Sequence, residues 1–355
     1  NPRFEWNSSS GQWSVLTQYP VYSLKPERTN SFEIGMNLRF LKYFELDATY
    51  YNAKTENQTF NPNLPVSKYS KMYIQTGAVR NQGVELALNF KNTWSDFTWS
   101  SGLTYSMNKN KIETLADNAI NPVTGELFSI PSLDMGGYGD MRFILREGGS
   151  MGDVYSRMDL QRDANGTIYI DENNKIYTQS IQDPNIKLGS VLPKGNLAWR
   201  NDFSWKNIHV GFMVSARFGG VVFSRTQAVL DNFGVSEFSA DARDLGYVTV
   251  NGNDRVDPEA WFSTVGSKAV PQYYTYSATN VRLQEASIGY SIPRKWLGNV
   301  CDIKVSLVGR NLWMIYNKAP FDPEAVASTS NFYQGVDNFM IPSLRNVGFS
   351  LNFKF

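Results

Sequence analysis

His209 is the only histidine and Cys301 the only cysteine among the 355 residues. Imidazole is the side chain that ordinarily changes charge near neutral pH, so acid–base chemistry narrows to His209. A nucleophilic mechanism there needs a nucleophile and an orienting acid beside the ring, and the sequence assigns neither. The plainer reading is a polar wall residue. A lone thiol forms no internal disulfide, and one histidine with one cysteine leaves little for a nitrogen–sulfur metal site. No catalytic residue, cofactor or metal is expected.

Two acidic segments offer other chemistry. Asp163-Ala164-Asn165-Gly166, followed by Asp171, Glu172, Asn173 and Asn174, is mildly like a calcium loop, although the glycine comes too early and the glutamate is misplaced for an EF-hand. Asn-Gly is first a tight-turn dipeptide; cation binding by the Asp163–Asp171 loop is the second reading. Asp322-Pro323-Glu324 is either a stiffened turn with solvated acids or a group that meets a ligand or partner. Tyr273, Tyr274, Tyr276, Phe332, Tyr333 and Phe339 could stack on sugars or anchor an interface, or simply pack loops together. None of this names a substrate-binding set.

The elements that must position these residues are more legible. Apolar side chains at 347, 349, 351, 353 and 355 alternate with small or polar ones up to the aromatic terminus. A strand sends successive side chains to opposite faces, so this segment has one oily and one wet face. The pattern recurs. Phe32, Ile34, Met36, Leu38 and Phe40 oppose Glu33, Asn37 and Arg39; Phe44, Leu46, Ala48 and Tyr50 oppose Glu45, Asp47 and Thr49. Val84, Leu86, Leu88 and Phe90 oppose Glu85 and Asn89. Later copies carry Trp99, Leu103, Tyr105; Trp199, Phe203, Trp205; Ile208, Val210, Phe212, Val214; and Ile303, Val305, Leu307. Val281 and Leu283 are odd while Ile288, Tyr290 and Ile292 are even, which calls for a β-bulge around Glu285. With weaker candidates near 150–158 and 219–227, about 9–11 strands are expected.

Connections alternate in length. Short ones fall at 42–43, 94–96, 206–207 and 293–298; long ones cover 54–80, 110–148, 226–275 and 313–342. Short turns on one rim and long loops on the other describe an antiparallel transmembrane β-barrel with periplasmic turns and extracellular loops. Charged rows would line a wet interior, with Trp99, Trp199, Trp205 and Tyr290 on the lipid side or in an interfacial girdle. Aromatics at 14% suit such girdles, and a net charge of +1 argues against a nucleic-acid partner. Mean hydropathy is −0.36, and no stretch approaches the roughly 20 apolar residues of a membrane-spanning helix. Exported barrels carry a signal peptide, so a segment before Asn1 is expected to have been removed.

Five segments together resemble the SusC/RagA family of TonB-dependent outer-membrane transporters of Bacteroidetes. They are Leu24 to Gly35 with Tyr50 to Thr55; Asn81-Gln82-Gly83-Val84-Glu85-Leu86; Ala278 to Glu285, continuing to Pro293; Gly309-Arg310-Asn311-Leu312-Trp313 with Phe321 to Glu324; and Pro342 to Phe355. The resemblance implies that residues 1–355 form the carboxy-terminal portion of a 22-stranded barrel, with the plug domain absent from this chain. It further implies import of oligosaccharides or peptides across the outer membrane. The implied partners are outer-membrane lipid, a SusD-like surface lipoprotein, the TonB-ExbB-ExbD complex through an amino-terminal region, and a dimer of transporter–lipoprotein pairs. The rival readings are a surface adhesin or structural barrel, a barrel enzyme resting on His209, and a soluble carbohydrate-binding module, which leaves the rim asymmetry unexplained.

Overall fold

A computed structural model describes residues 4–7, 11–15, 25–60, 74–120, 125–182, 185–298, 300–329 and 333–354. Leu24, Phe332 and Phe355 lie outside them. Nine strands form one antiparallel sheet: β1 (Arg28–Phe40), β2 (Phe44–Phe60), β3 (Ile74–Trp94), β4 (Phe97–Thr114), β5 (Gly195–Trp205), β6 (Ile208–Phe218), β7 (Asn280–Ile292), β8 (Asp302–Asn317) and β9 (Asn346–Lys354). Each pairs only with its neighbours in chain order, so the sheet is a continuous meander with β1 and β9 at its edges. The strand count falls at the low end of the sequence expectation. The segments near 150–158 and 219–227 are not wall strands: Asp153–Ser156 and Val221–Ser224 belong to small separate sheets. Alternation over four residues cannot distinguish a wall strand from a hairpin in a loop.

The two-residue turns follow local chemistry. Trp94 pairs with Phe97, and Trp205 with Ile208. Ser95 and Lys206 take the left-handed backbone (φ 52° and 50°) that such tight hairpins demand. The other rim carries the insertions 61–73, 115–194, 219–279 and 318–345. The strict short–long alternation holds, with shifted bounds. Strands β2, β3 and β4 rise further than their apolar runs, so 54–60, 74–80 and 110–114 are strand rather than loop. The expected bulge is present one residue earlier: Met213 and Val214 face Glu285 and Leu283, leaving Gln284 extra.

The outward rows make an apolar band. On β6 it runs from Ile208 to Phe218, about 25 Å along the membrane normal at the usual rise and a tilt of about 45°. Rings crowd the short-turn rim, where Phe40, Phe44, Phe90, Trp99 and Phe203 touch in succession across five strands. That is the interfacial girdle of a barrel. Sequence reading missed one feature of this face. Asn201 has the outward phase between Trp199 and Phe203, yet is only 1% exposed. Its Oδ1 accepts the Trp99 Nε1–H at 3.0 Å, and Trp199 Nε1 donates to Ser101 Oγ at 3.0 Å. Each indole thus gives one hydrogen bond to a polar side chain that would be costly against lipid, although the Asn201 Nδ2 group is buried with no partner among the described residues. Above the band the outward face turns polar: Asn52, Lys54 and Glu56 follow Tyr50 on β2.

The described parts of insertions 115–194, 219–279 and 318–345 are folded. Phe143, Val154, Leu160 and Ile176 from 115–194 share one core with Phe223, Val256, Val265, Val270 and Tyr274 from 219–279, and with Val336 from 318–345. The sequence reading held no helix in 219–279, but three are present: α1 (Arg225–Asn232), α2 (Glu237–Leu245) and α3 (Pro258–Ser267). Their amino ends are capped by Ser224, Ser236 and Asp257, and Gly246 (φ 84°) ends α2. Helices α1 and α3 cross at Gly266, where a Cβ would stand 2.7 Å from Asn232 N and 2.8 Å from Ala228 O. Only glycine permits that approach.

Candidate functional site

The inner face of the wall is polar and its charges are arranged in pairs. Arg39 meets Glu45 at 2.9 Å, Arg200 meets Asp202 at 2.8 Å, and Arg310 meets Glu285 at 3.1 Å. Asn37 donates to Asp47. These exposed pairs add little stability; they show that the face is built for water. A groove of about 630 Å³ crosses it, lined by Asp47, Glu85, Thr104, Asn196, Arg217 and Glu324. Asp47 and Glu85, both on the wet faces read from sequence, line the groove together with Arg217. Arg39, Glu45, Arg200 and Asp202 form pairs outside that lining.

Gly83 serves the same face. A Cβ at this position would run into the Tyr51 ring and the Met107 carbonyl, so the glycine of the Asn81-Gln82-Gly83-Val84-Glu85 segment makes room for Tyr51 from the neighbouring strand. Gly83→Ala is expected to destabilise the wall by about 1–3 kcal/mol through overpacking, measured as a lower urea midpoint for the folded barrel. An unchanged midpoint would remove this role.

The strongest charge cluster was not legible in sequence. Arg282, at the upper end of β7 just above the bulge, is 4% exposed at its side chain. Its guanidinium reaches Asp322 at 2.8 Å and Glu324 at 3.0 Å, and Nη1 donates to Asn311 Oδ1 at 3.1 Å. Asn311 takes a left-handed backbone (φ 52°), and its Nδ2 donates to the Leu344 carbonyl. Ser343 Oγ donates to Asp322. The segments around Arg282, Asn311 and Asp322-Pro323-Glu324, separate in sequence, therefore form one knot. It ties insertion 318–345 down onto the wall, and Glu324 forms part of the groove. Burial alone would raise the Asp322 pKa. Hydrogen bonds from Arg282, Ser343 and the Glu324 N–H outweigh it and hold the carboxyl below its ordinary value.

His209 bridges three strands. Its Nδ1 lies 2.9 Å from Ser204 Oγ on β5, and its Nε2 lies 2.9 Å from Ser291 Oγ on β7. Both ring nitrogens are occupied by serines, and neither position holds the acid that would orient a catalytic imidazole. His209→Ala is expected to cost about 1–2 kcal/mol of wall stability through two lost hydrogen bonds, read from urea unfolding, without altering any hydrolysis measured beside the unmodified protein. A fall in hydrolysis would reinstate the catalytic reading.

Asp163 and Asp171 each build a turn. Asp163 accepts the N–H groups of Asn165 and Thr167 and the Thr167 hydroxyl; Asp171 accepts the N–H groups of Asn173 and Lys175 and the Tyr177 hydroxyl. These bonds hold both carboxyls below their usual range, the Thr167 and Tyr177 hydroxyls contributing most. Both carboxylates are occupied by their own loops. Among the described residues no cluster of three or more histidine, cysteine or carboxylate side chains is placed to hold a metal ion.

The loop aromatics divide. Tyr274 is buried and Tyr273 packs edge-on against Trp261, with centroids 5.4 Å apart. Tyr276 meets Phe321 at 5.7 Å, and burial pushes its hydroxyl up to about 12. Tyr333 and Phe339 remain exposed. Cys301 is a free thiol of intermediate exposure.

Comparison with known proteins agrees with this architecture. Residues 2–312 match the family model described as TonB dependent receptor-like, beta-barrel. TonB-dependent receptor P3 of Formosa agariphila is 28% identical over 96% of the chain and 35% of its own length. TonB-dependent receptor P26 of the same organism is 26% identical over 93% of the chain and 34% of its own length. The chain thus spans about a third of these curated relatives. Among solved structures, the RagAB peptide importer in its open-open state superposes with a TM-score of 0.71 at 16% identity, covering 100% of this chain and 38% of the other. The closed-closed state gives 0.68 at 17% identity, covering 98% and 38%. At that identity the likeness establishes the fold alone.

Proposed function

Because the chain belongs to the TonB-dependent receptor-like β-barrel family, whose members reside in the outer membrane and are transporters rather than enzymes, we propose that it forms the carboxy-terminal wall of an importer for bulky nutrients. The carrying observation is the division of the wall. One face offers rings and aliphatic chains to lipid; the other offers paired charges and a groove of about 630 Å³, beneath insertions that fold over the outer rim. Nine strands with two edges cannot stand alone in hydrocarbon, where each unpaired backbone group costs several kcal/mol. The proposal therefore includes further strands that complete a barrel of about 22, and a plug in its lumen.

The cargo is an oligosaccharide or a peptide. A SusD-like lipoprotein covers the outer insertions, the TonB-ExbB-ExbD complex energises the cycle through an amino-terminal region, and two transporter–lipoprotein pairs associate. The peptide importer that shares the fold supports the peptide half of this reading, and residence in a family of TonB-dependent receptors supports the energy source. The test is growth of a deletion strain on defined oligosaccharides or oligopeptides as sole carbon source, with the gene restored and with TonB removed. Growth on one class that needs both the gene and TonB is the expected result. Undiminished growth on both classes overturns the importer, and loss of surface attachment in the same strain would move the assignment to an adhesin.

A further inference from the structure

Pairing between β4 and β5 ends at Ser106 and Asn196, while β4 continues to Thr114. Higher up, the free edge of β4 is taken by another segment: Ile112 exchanges hydrogen bonds with Gly148 and Gly149. Between these two closures the wall has a gap of about 420 Å³, bordered by Lys109, Lys187, Lys194, Asn108, Ser150 and Leu192 among others. Backbone groups alternate between the two edges of a strand. Ile112 points its N–H and C=O at this edge, so Asn110 and Asn108 point theirs into the gap.

The charges around the gap are unbalanced. Lys187 is engaged with Asp153, which also accepts from Ser150. Among the described residues Lys109 and Lys194 have no carboxylate within ion-pair distance. The contrast with the neighbouring strands is direct, since Lys54 and Arg80 at similar height are neutralised by Glu56 and Glu113. The stem of Lys194 lies across Gly219, whose Cβ would stand 2.8 Å from its Cγ, so the ammonium does not sweep freely. The height is also informative. On the outward phase of β4, Tyr105 and Met107 are the last apolar residues and Lys109 is the next, which places the gap where hydrocarbon gives way to headgroups.

We propose that this gap is an oxyanion site that binds a phosphate ester at the outer rim of the wall. Lys109 and Lys194 supply the charge, the edge N–H groups of Asn108 and Asn110 supply fixed donors, and Met107, Leu192 and Pro193 form an apolar floor. Phosphate recognition by paired ammonium groups and backbone N–H donors is ordinary chemistry. The phosphate is carried either by an outer-leaflet lipid headgroup or by a soluble ester. The site goes beyond nutrient import and stands independently of it.

The test uses the full-length protein, delipidated, with its folding checked by heat-modifiable migration. One arm reconstitutes it in phosphatidylcholine vesicles with or without a diphosphorylated lipid A and counts retained lipid by native mass spectrometry. The other titrates inorganic phosphate in neutral detergent and follows it by phosphorus NMR. The Lys109→Gln/Lys194→Gln double variant is expected to bind about thirty-fold more weakly, at the usual headgroup-level contribution of each lysine. The Lys109→Arg/Lys194→Arg variant and a Lys54→Gln control keep their binding. Loss in the lipid arm identifies the headgroup; loss confined to the phosphate arm identifies a soluble ester. Equal binding by wild type and the glutamine double variant in both arms, or no binding by wild type in either, overturns the site.

Discussion

Arg282→Ala is expected to release insertion 318–345 from the wall at a cost of about 3–5 kcal/mol. The substitution removes one guanidinium and leaves two carboxylates facing each other. Asp322 is 10% exposed at its side chain and cannot turn to water in place. Arg282→Lys should recover only part of the loss, because an ammonium has no planar fork to hold Asp322 and Glu324 together while bonding Asn311. Replacing the whole cluster, as Arg282→Met with Asp322→Leu and Glu324→Gln, should recover more than lysine does, since buried ion networks often give way to apolar packing without penalty. Two readouts are needed: the unfolding midpoint, and the rate at which protease cuts within 318–345. An Arg282→Ala protein with an unaltered cleavage pattern would show that the knot does not hold the insertion. Since Glu324 lines the inner groove, the proposed import should also be reduced in the same variant.

The knot carries a pH dependence of definite sign. Asp322 has a folded-state pKa below its usual value of 3.8. Its contribution is therefore fully present above the unfolded value and is lost as pH falls through the lower folded one. Protection of 318–345 should persist at neutral pH and down to about pH 4, and fail only in stronger acid. Protection that already fell between pH 7 and 5 would contradict the assignment of Asp322.

What the sequence disclosed follows from the range of each interaction. Side-chain alternation is local, so the strands, their outward rows and the slip near Glu285 could be read from a few consecutive residues, with the bulge placed one residue late. The knot could not. Arg282 and Asp322 are 40 positions apart, and nothing near Asp322-Pro323-Glu324 indicates a guanidinium partner. Asn201 is the same case at greater range, because the indole that donates to its Oδ1 lies 102 positions away. The helices in 219–279 did leave signals, in the capping serine at 236, Asp257-Pro258 and Gly246. These signals do not decide for a helix on their own, because eight to ten residues are too few to set a helical period against the surrounding turns. The inner groove was legible as a charged row but not as a cavity, since it requires strands β2 to β6 and Glu324 of the last insertion in place together.

Phe212→Arg is expected to destabilise the wall by about 2–4 kcal/mol, the cost of an arginine near the bilayer midplane. Phe212 stands midway along β6, on the outward phase, with Trp199 at 5.7 Å and Phe203 at 6.2 Å. Its neighbours in register are Asn201 and Ala286, so no carboxylate is at hand to pair with an introduced cation. Thr104→Arg is the matched control. Thr104 lies on β4, two strands away, on the opposite face and in the groove lining. An arginine there meets water and the carboxylates of Asp47 and Glu85, and should move stability by no more than about 0.5 kcal/mol. The comparison separates the two-faced wall from a compact water-borne sheet sandwich. In the sandwich, one face would be packed against a second sheet, and detergent or lipid would make no difference to either variant. In the wall, the Phe212 variant should unfold at lower urea in lipid vesicles, and the gap between the two variants should shrink in detergent, where the arginine can find water. Equal effects of the two substitutions in vesicles would mean that the oily rows do not face lipid, and the assignment of inside and outside would fall with them.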